Sequence, residues 1–429
     1  MKLWTGQTIS EFGTAISQLA IPFVALKVLH ATTFEIASLG TVQFLPFLLF
    51  TLPAGVWVDR WSRRVVLIVG DLGRGLLGAS IPIAYALGSL TLSQLYVVGF
   101  LTGILTVFFD VAYQAYLPSL VEREHLVEGN SKLQITVSGA NLVGPGLAGL
   151  LIKLVTAPYA ILVDTASFLF SGGFLVAIRK PERLERSADA PPRSLRTELW
   201  EGLRYVLGHR LLRPQAIATG TSNFFSNLVF AIFIVYAVRR LGMSAAAVGL
   251  VFSLGSIGWL LGSMSADRIR RRLGVGLTTT LGMACTGPSL LLIPLAPKSF
   301  PSPVLIAGVA IGAWGAVVYN ITQVSLRQTI TPQRMQGRMN AVMRFLVWGT
   351  IPLGSLTGGA LGTALGLRTA LFIGAAGGFT AILPIVLSPI RSLHEFPEPE
   401  EPPSAIEAAD AGVLPTAAAS GAGATAAES

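Results

Sequence analysis

The sequence predicts an all-α membrane protein in which twelve transmembrane helices form two six-helix bundles, with both termini cytoplasmic. Three observations carry that prediction: too little charge for a soluble chain, twelve apolar stretches of spanning length, and a second half that repeats the first. The 429 residues are 52% hydrophobic and only 12% charged, with a mean hydropathy of +0.65. Soluble domains carry about 25% charged residues. The surface left over needs lipid as its solvent. In lipid every backbone polar group must be satisfied within the chain, so long apolar segments become helices.

The twelve stretches fall at about 4–29, 35–58, 65–87, 92–117, 132–155, 158–178, 214–238, 245–266, 275–296, 302–326, 340–363 and 368–389. Each is near the ~20 residues a bilayer crossing requires. The first follows Lys2, is too long for a signal-peptide core and has no small-residue cleavage site after it, so it reads as a span. Spans 5 and 6 are joined by little more than Thr156-Ala157-Pro158, a tight hairpin.

The placement of basic residues sets the orientation. With the N-terminus inside, six of the 31 Lys and Arg fall outside (Lys27, Lys153, Arg239, Arg240, Lys298, Arg368), leaving 25 inside. The net charge of +9 is therefore a topology signal along one membrane face and not a nucleic-acid surface. Cys285 is the single cysteine and lies in an apolar stretch, and the histidines (His30, His125, His209, His394) have no ligand spacing, so no disulfide, metal site or cofactor is read.

Residues 1–180 form the first bundle, 181–212 a cytoplasmic linker, 213–392 the second bundle, and 393–429 a tail. In the linker, Leu195, Leu199, Leu203 and Val206 share one helical face, which predicts an amphipathic helix on the cytoplasmic membrane surface. The tail is rich in Pro, Glu, Ala, Gly and Ser and is expected to be disordered.

The halves correspond at an offset of about 208–210 residues. Asp59-Arg60 after span 2 recurs as Asp267-Arg268 after span 8, and Gln114 recurs as Gln323. Gly129-Asn130 compares with Gly337 and Asn340, and Gly144 and Gly149 of span 5 match Gly354 and Gly359 of span 11. A parallel duplication of this kind places a binding site between the halves, near the bilayer midplane.

These features are joined by a motif, Gly55-x-x-x-Asp59-Arg60-x-x-Arg63-Arg64, through which nearly all of residues 1–392 resembles the major facilitator superfamily. The motif reads as an electrostatic latch between loop 2–3 and its neighbours that biases inward- and outward-open states. Gly144-Pro145-Gly146-Leu147-Ala148-Gly149 is similar to the superfamily's antiporter signature, with Ala148 in place of a glycine. Phe108-Phe109-Asp110-Val111-Ala112-Tyr113-Gln114-Ala115-Tyr116-Leu117-Pro118-Ser119-Leu120-Val121 resembles the branch of enterobactin exporters and macrolide-efflux proteins. So do Glu201-Gly202-Leu203-Arg204-Tyr205 and the set Arg327, Gln328, Thr331, Pro332, Arg334, Gly337, Arg338 and Asn340. Span 4 lacks the arginine many proton-coupled drug exporters carry.

Proton coupling needs an intramembrane carboxylate that can be protonated, and burial makes that easier. Glu11 in span 1, Asp164 in span 6 and Asp110 in span 4 are the coupling or substrate candidates, in that order. Asp71 and Arg74 lie three apart on one face, near the cytoplasmic end of span 3, and with Arg344 they form the group of intramembrane ion-pair candidates. Asn223, Phe224, Phe225, Asn227, Trp314, Tyr319 and Asn320 are candidates for lining a cavity around an amphipathic substrate.

The resemblance implies a monomeric secondary transporter in the inner membrane of a bacterium. It would exchange protons for an amphipathic small molecule by alternating access, with Glu11 protonated from outside. Siderophore export and lysophospholipid flipping are the rival cargoes; a membrane receptor or sensor is the rival class. No nucleophile–base pair supports an enzyme, and no Gly-x-x-x-x-Gly-Lys-Ser/Thr supports direct ATP drive.

Overall fold

Long apolar segments give helix almost throughout, even across internal prolines such as Pro46, Pro53, Pro82 and Pro145. The computed structural model describes residues 2–58, 60–120, 126–178 and 195–397. The first half comprises α1 (Lys2–Phe23, continued by a π-turn at Val24–Val28), α2 (Thr33–Val58), α3 (Arg63–Ala86), α4 (Leu92–Leu120), α5 (Leu126–Val155) and α6 (Ala157–Val176). Then come α7 (Leu195–Gly208), α8 (Leu212–Arg239), α9 (Ala245–Gly255), α10 (Ile257–Ala284), α11 (Thr286–Leu295) and α12 (Pro301–Ile330). The chain finishes with α13 (Gln333–Trp348), α14 (Thr350–Ala364), α15 (Leu367–Thr380) and α16 (Leu383–Val386).

Among the described residues, eleven helical stretches are long and apolar enough to cross a bilayer. One of them, Ala245–Leu295, is 51 residues long. It is interrupted at Gly274, whose φ of 80° and ψ of 172° are open to glycine and strained for other residues. Both arms of the broken stretch lie on α12. A β-carbon at Gly258 would meet the Ala310 carbonyl, and one at Gly282 would lie 2.7 Å from the Tyr319 nitrogen.

The break frees amide groups, and the chain beyond the second bundle satisfies them. Val275 N–H donates to the His394 carbonyl (3.1 Å) and Gly276 N–H to the Leu393 carbonyl (2.7 Å). The Arg270 guanidinium lies 5.6 Å from the Phe396 ring centroid. Residues 393–397 are therefore docked on α10, which moves the start of the expected disordered tail; residues 398–429 lie outside the described residues.

The duplication is visible in the packing. Gly144 of α5 faces Ala15 of α1, and its counterpart Gly354 of α14 faces Phe224 of α8. Gly149 crosses to Ala245 and Ala246 of α9 in the other half, and Gly359 crosses to Phe34 and Ala37 of α2. Each motif helix thus packs on the first helix of its own half and the second helix of the other.

The hydrophobic cores show how the halves meet. One continuous core joins residues of both halves, among them Leu26, Leu39, Ala148, Leu228, Val248 and Leu371. It lies toward the end of the bundles that carries the turns near Lys27, Lys153, Arg239 and Arg368. At the other end two separate cores stand apart: Val58, Leu67, Phe109 and Leu175 in the first half, Val275, Leu326, Met343 and Ile385 in the second. The halves are sealed at one face and parted at the face bearing the linker.

The linker helix α7 departs from expectation. Val206 is fully buried, and Leu203 and Tyr205 pack on the second half's core, so this face meets protein where a membrane surface was expected. Gly202 lets α7 approach the Arg338 carbonyl of α13, and Glu201 pairs with Arg338. The interhelical fit outcompetes lipid because α13 supplies an apolar strip at that level. Leu195 and Leu199 have side chains outside the described residues, as does the linker segment 179–194.

Candidate functional site

A cavity of about 1050 Å³ opens between the halves. Its walls come from α2 of the first half and from α8, α9, α10, α12 and α13 of the second, with Thr286 of α11 at its edge. On α12 the lining residues Ala316, Asn320, Gln323 and Arg327 follow a three- and four-residue spacing, so one helical face points inward. On α13 Asn340, Arg344 and Trp348 do the same.

An aromatic ladder spans the two halves. Phe47 stacks on Phe44 at 5.5 Å between centroids, and Phe44 meets Trp348 edge-on at 6.0 Å. Arg344 then lies over Trp348, 4.8 Å from the ring centroid. Cation–π attraction and aromatic packing hold the four side chains as one surface.

The lining carries two arginines, Arg327 and Arg344, and among the described lining residues no carboxylate. The two cations are near enough to repel. Arg327 Nε is buried with no hydrogen-bond partner. Gln323 is only 5% exposed; its amide nitrogen donates to Asn320 Oδ1 (3.1 Å), and its Oε1 is unpartnered. Tyr319 shares a 2.7 Å hydroxyl contact with Thr219.

The acids gather in the other half. Asp71, fully buried, accepts from Arg74 at 2.5 Å. The Arg74 guanidinium is sandwiched between the rings of Phe109 (4.1 Å) and Phe168 (4.4 Å) and also donates to the Gly70 carbonyl. Asp110 on α4 feels both Arg74 and Glu11. Asp164 on α6 is 7% exposed and turns toward α1: a β-carbon at Gly13 would sit 2.8 Å from its Oδ1. Ser167 Oγ donates to the Asp164 carbonyl at 2.7 Å. Glu11, partly exposed, accepts from Gln7 Nε2 at 2.8 Å.

The residues singled out on sequence fall into three groups. Asn223, Tyr319 and Asn320 line the cavity. Asn227 donates to the Asn223 carbonyl, Trp314 Nε1 donates to Ser265 Oγ (3.0 Å), and Phe224 and Phe225 contact each other at 5.1 Å, Phe225 covering Gly377; none of these four lines this cavity. Arg344, grouped with the intramembrane ion pairs, is paired with no acid among the described residues: it stands in the second half, across from the acid cluster around Arg74. Glu11, Asp110 and Asp164 are likewise absent from this cavity's walls.

Of the loop 2–3 motif, Asp59 lies outside the described residues. Arg64 donates to the carbonyls of Leu175 (3.2 Å) and Val176 (2.7 Å), tying the start of α3 to the end of α6. Gly55 has open space around it, Arg60 is exposed, and Arg63 starts α3. In the second half Asp267 pairs with Arg270 (2.6 Å) and Arg271 (2.7 Å) of its own helix, and Arg268 is exposed. Pro145 offers its carbonyl to the close approach of Gly249 on α9. Sequence reading missed Phe44, Phe47 and Trp348, whose only signal was an aromatic at helical spacing, common on lipid-facing helices.

Two homologous helical bundles sealed at one face around a cavity open at the other define a membrane carrier. The sequence model of the Major Facilitator Superfamily matches residues 3–349 and again 224–424. The chain belongs to that superfamily; it is a multi-pass transporter and not an enzyme. It is 29% identical to the multidrug efflux pump Tap of Mycolicibacterium fortuitum over 375 residues, 83% of this chain and 87% of Tap. It is 25% identical to the enterobactin exporter EntS of Salmonella typhimurium over 411 residues, 91% and 92% of the two chains. Among solved structures it is similar in fold to a bacterial homologue of the iron transporter ferroportin in its inward-facing state. There the TM-score is 0.71 at 18% identity, covering 90% of this chain and 97% of the other.

Proposed function

We propose that the protein is a proton-coupled exporter of an amphipathic small molecule, working by alternating access. One observation carries the reading: the halves share a single core at one face and part around a cavity at the other. The linker face is the cytoplasmic one, because it collects 25 of the 31 basic residues. With Ala245–Leu295 counted as two crossings reversed at Gly274, there are twelve spans and both termini are cytoplasmic. The chain sits as a monomer in the inner membrane of a bacterium.

Substrate enters the cytoplasm-open cavity. Residues 1–180 then rock against 213–392 and break the contacts of α5 with α9 and α2 with α14. Protons taken from outside by Glu11, with Asp164 and Asp110 as further carriers, return the protein inward. The loop 2–3 residues Asp59, Arg60, Arg63 and Arg64, and their counterparts Asp267 and Arg268, bias the exchange. Tap and EntS, one named a multidrug efflux pump and one an enterobactin exporter, support export and leave the cargo open between a drug or secondary metabolite and a siderophore.

Counterflow in proteoliposomes tests the class. A transporter gives substrate accumulation driven by preloaded substrate, whereas a receptor or sensor gives none.

A further inference from the structure

We propose that the cavity is a site for a soluble aromatic anion, held by Arg327 and Arg344 and stacked on the Phe44–Trp348 surface. The inference deepens the exporter reading by naming the charge and shape of its cargo.

Two guanidinium groups share one cavity that brings no described carboxylate to neutralise them. Arg327 is partly buried and Arg344 is exposed; a partly buried cation without a counter-ion is costly, and the cost falls when a ligand supplies the negative charge. Arg344 already lies on Trp348, which holds the guanidinium plane still and leaves its edge free for a carboxylate, sulfonate or phenolate. Beyond it, Trp348, Phe44 and Phe47 follow one another with successive centroids 6.0 and 5.5 Å apart, a run of ring faces and edges suited to a fused or biaryl ring system. On α12 Arg327 has an unpartnered Nε, and Gln323, one turn away, has an unpartnered Oε1 that a ligand hydroxyl or amide N–H would satisfy. Asp71, Asp110 and Asp164 of the first half gather around Arg74 instead, away from the two arginines of the cavity.

A long-chain lysophospholipid also carries an anionic group, but its aliphatic tail makes no use of a stacked aromatic surface. A cationic drug would meet two like charges.

The test uses the full-length purified protein and three probes of one shape: 2-naphthoate, 2-naphthamide and 2-naphthylmethylammonium, with oleoyl lysophosphatidate as a fourth. Binding is read by calorimetry. Naphthoate is expected to bind about tenfold or more tighter than the amide, with the ammonium weakest, the size of effect a charge-assisted contact gives. Arg327→Gln and Arg344→Gln should each remove most of that preference, weakening naphthoate far more than the amide, and Arg344→Lys should restore part of it. If a variant fails to fold, the wild-type ranking alone decides. Equal binding of the three probes, tightest binding of the ammonium, or lysophosphatidate outcompeting naphthoate would overturn the proposal. Proton-driven naphthoate transport is measured separately: binding without pH-driven movement sinks the exporter reading and leaves the anion site standing.

Discussion

Gly149 of α5 approaches Ala245 of α9 so closely that a β-carbon on it would lie 2.4 Å from the Ala245 carbonyl oxygen. Gly359 of α14 holds the matching position, where a β-carbon would lie 2.7 Å from Ala37 of α2. The same pair of contacts, repeated by the duplication, seals the face away from the linker, and Arg239 adds a 2.7 Å hydrogen bond to the Ala31 carbonyl across the halves.

Gly149→Ala should therefore hold that face open. The prediction is a loss of transport of about tenfold or more, since one or two kcal/mol is enough to move a two-state balance that far. In a Cys285→Ser background, a cysteine placed at buried Ala37 should react faster with an impermeant maleimide when Gly149→Ala is present. Unchanged labelling would show that the contact does not control closure.

Asp71 and Arg74 form a buried pair, and Arg74 is also clamped between two rings. Asp71→Ala leaves that guanidinium unneutralised and should destabilise the fold by about 3–5 kcal/mol. Replacing both together, as Asp71→Leu with Arg74→Met, should cost much less. Thermal unfolding in detergent, read by size exclusion, distinguishes the two; equal losses would make the pair's neutralisation irrelevant.

The proposed coupling rests on Glu11. Glu11→Gln is permanently neutral, like the protonated acid, so it should lose pH-driven uptake into inverted vesicles while keeping substrate counterflow. Its activity should no longer rise with proton supply from the side that acidifies. Full pH-driven uptake would transfer the role to Asp164 or Asp110, which Asp164→Asn and Asp110→Asn then test.

The docking of α7 rests on apolar burial more than on its ion pair. Glu201→Ala removes a half-exposed partner of Arg338 and should shift stability by less than ~1 kcal/mol. Val206→Asp places a charge at a fully buried position and should release α7 from α13, read as new proteolytic cleavage within residues 195–208. Equal sensitivity of the two variants would refute the ranking.

Much of the architecture was legible before any coordinates. Hydropathy marked the helices because each segment meets lipid on its own. The duplicated Gly144/Gly354 and Gly149/Gly359 were legible as a repeat, though what each glycine touches was not. Of the cavity, Asn223, Tyr319 and Asn320 were found from polarity and aromatic character inside apolar spans. Phe44, Phe47 and Trp348 were missed, because an aromatic residue in a membrane helix has the same signature facing lipid, core or cavity.

By itself the sequence determined the apolar helical stretches, the duplication and the uneven distribution of basic residues along the chain, which follow from the residues themselves. Tertiary structure alone decided that one face is sealed, that Arg344 stands on Trp348 apart from the acids, and that α7 and residues 393–397 lie on protein. Those outcomes depend on the rotation and pairing of helices. In lipid the hydrophobic effect does not distinguish a neighbour helix from an acyl chain, so close packing and buried polar contacts choose the partner, and neither is written in any one segment.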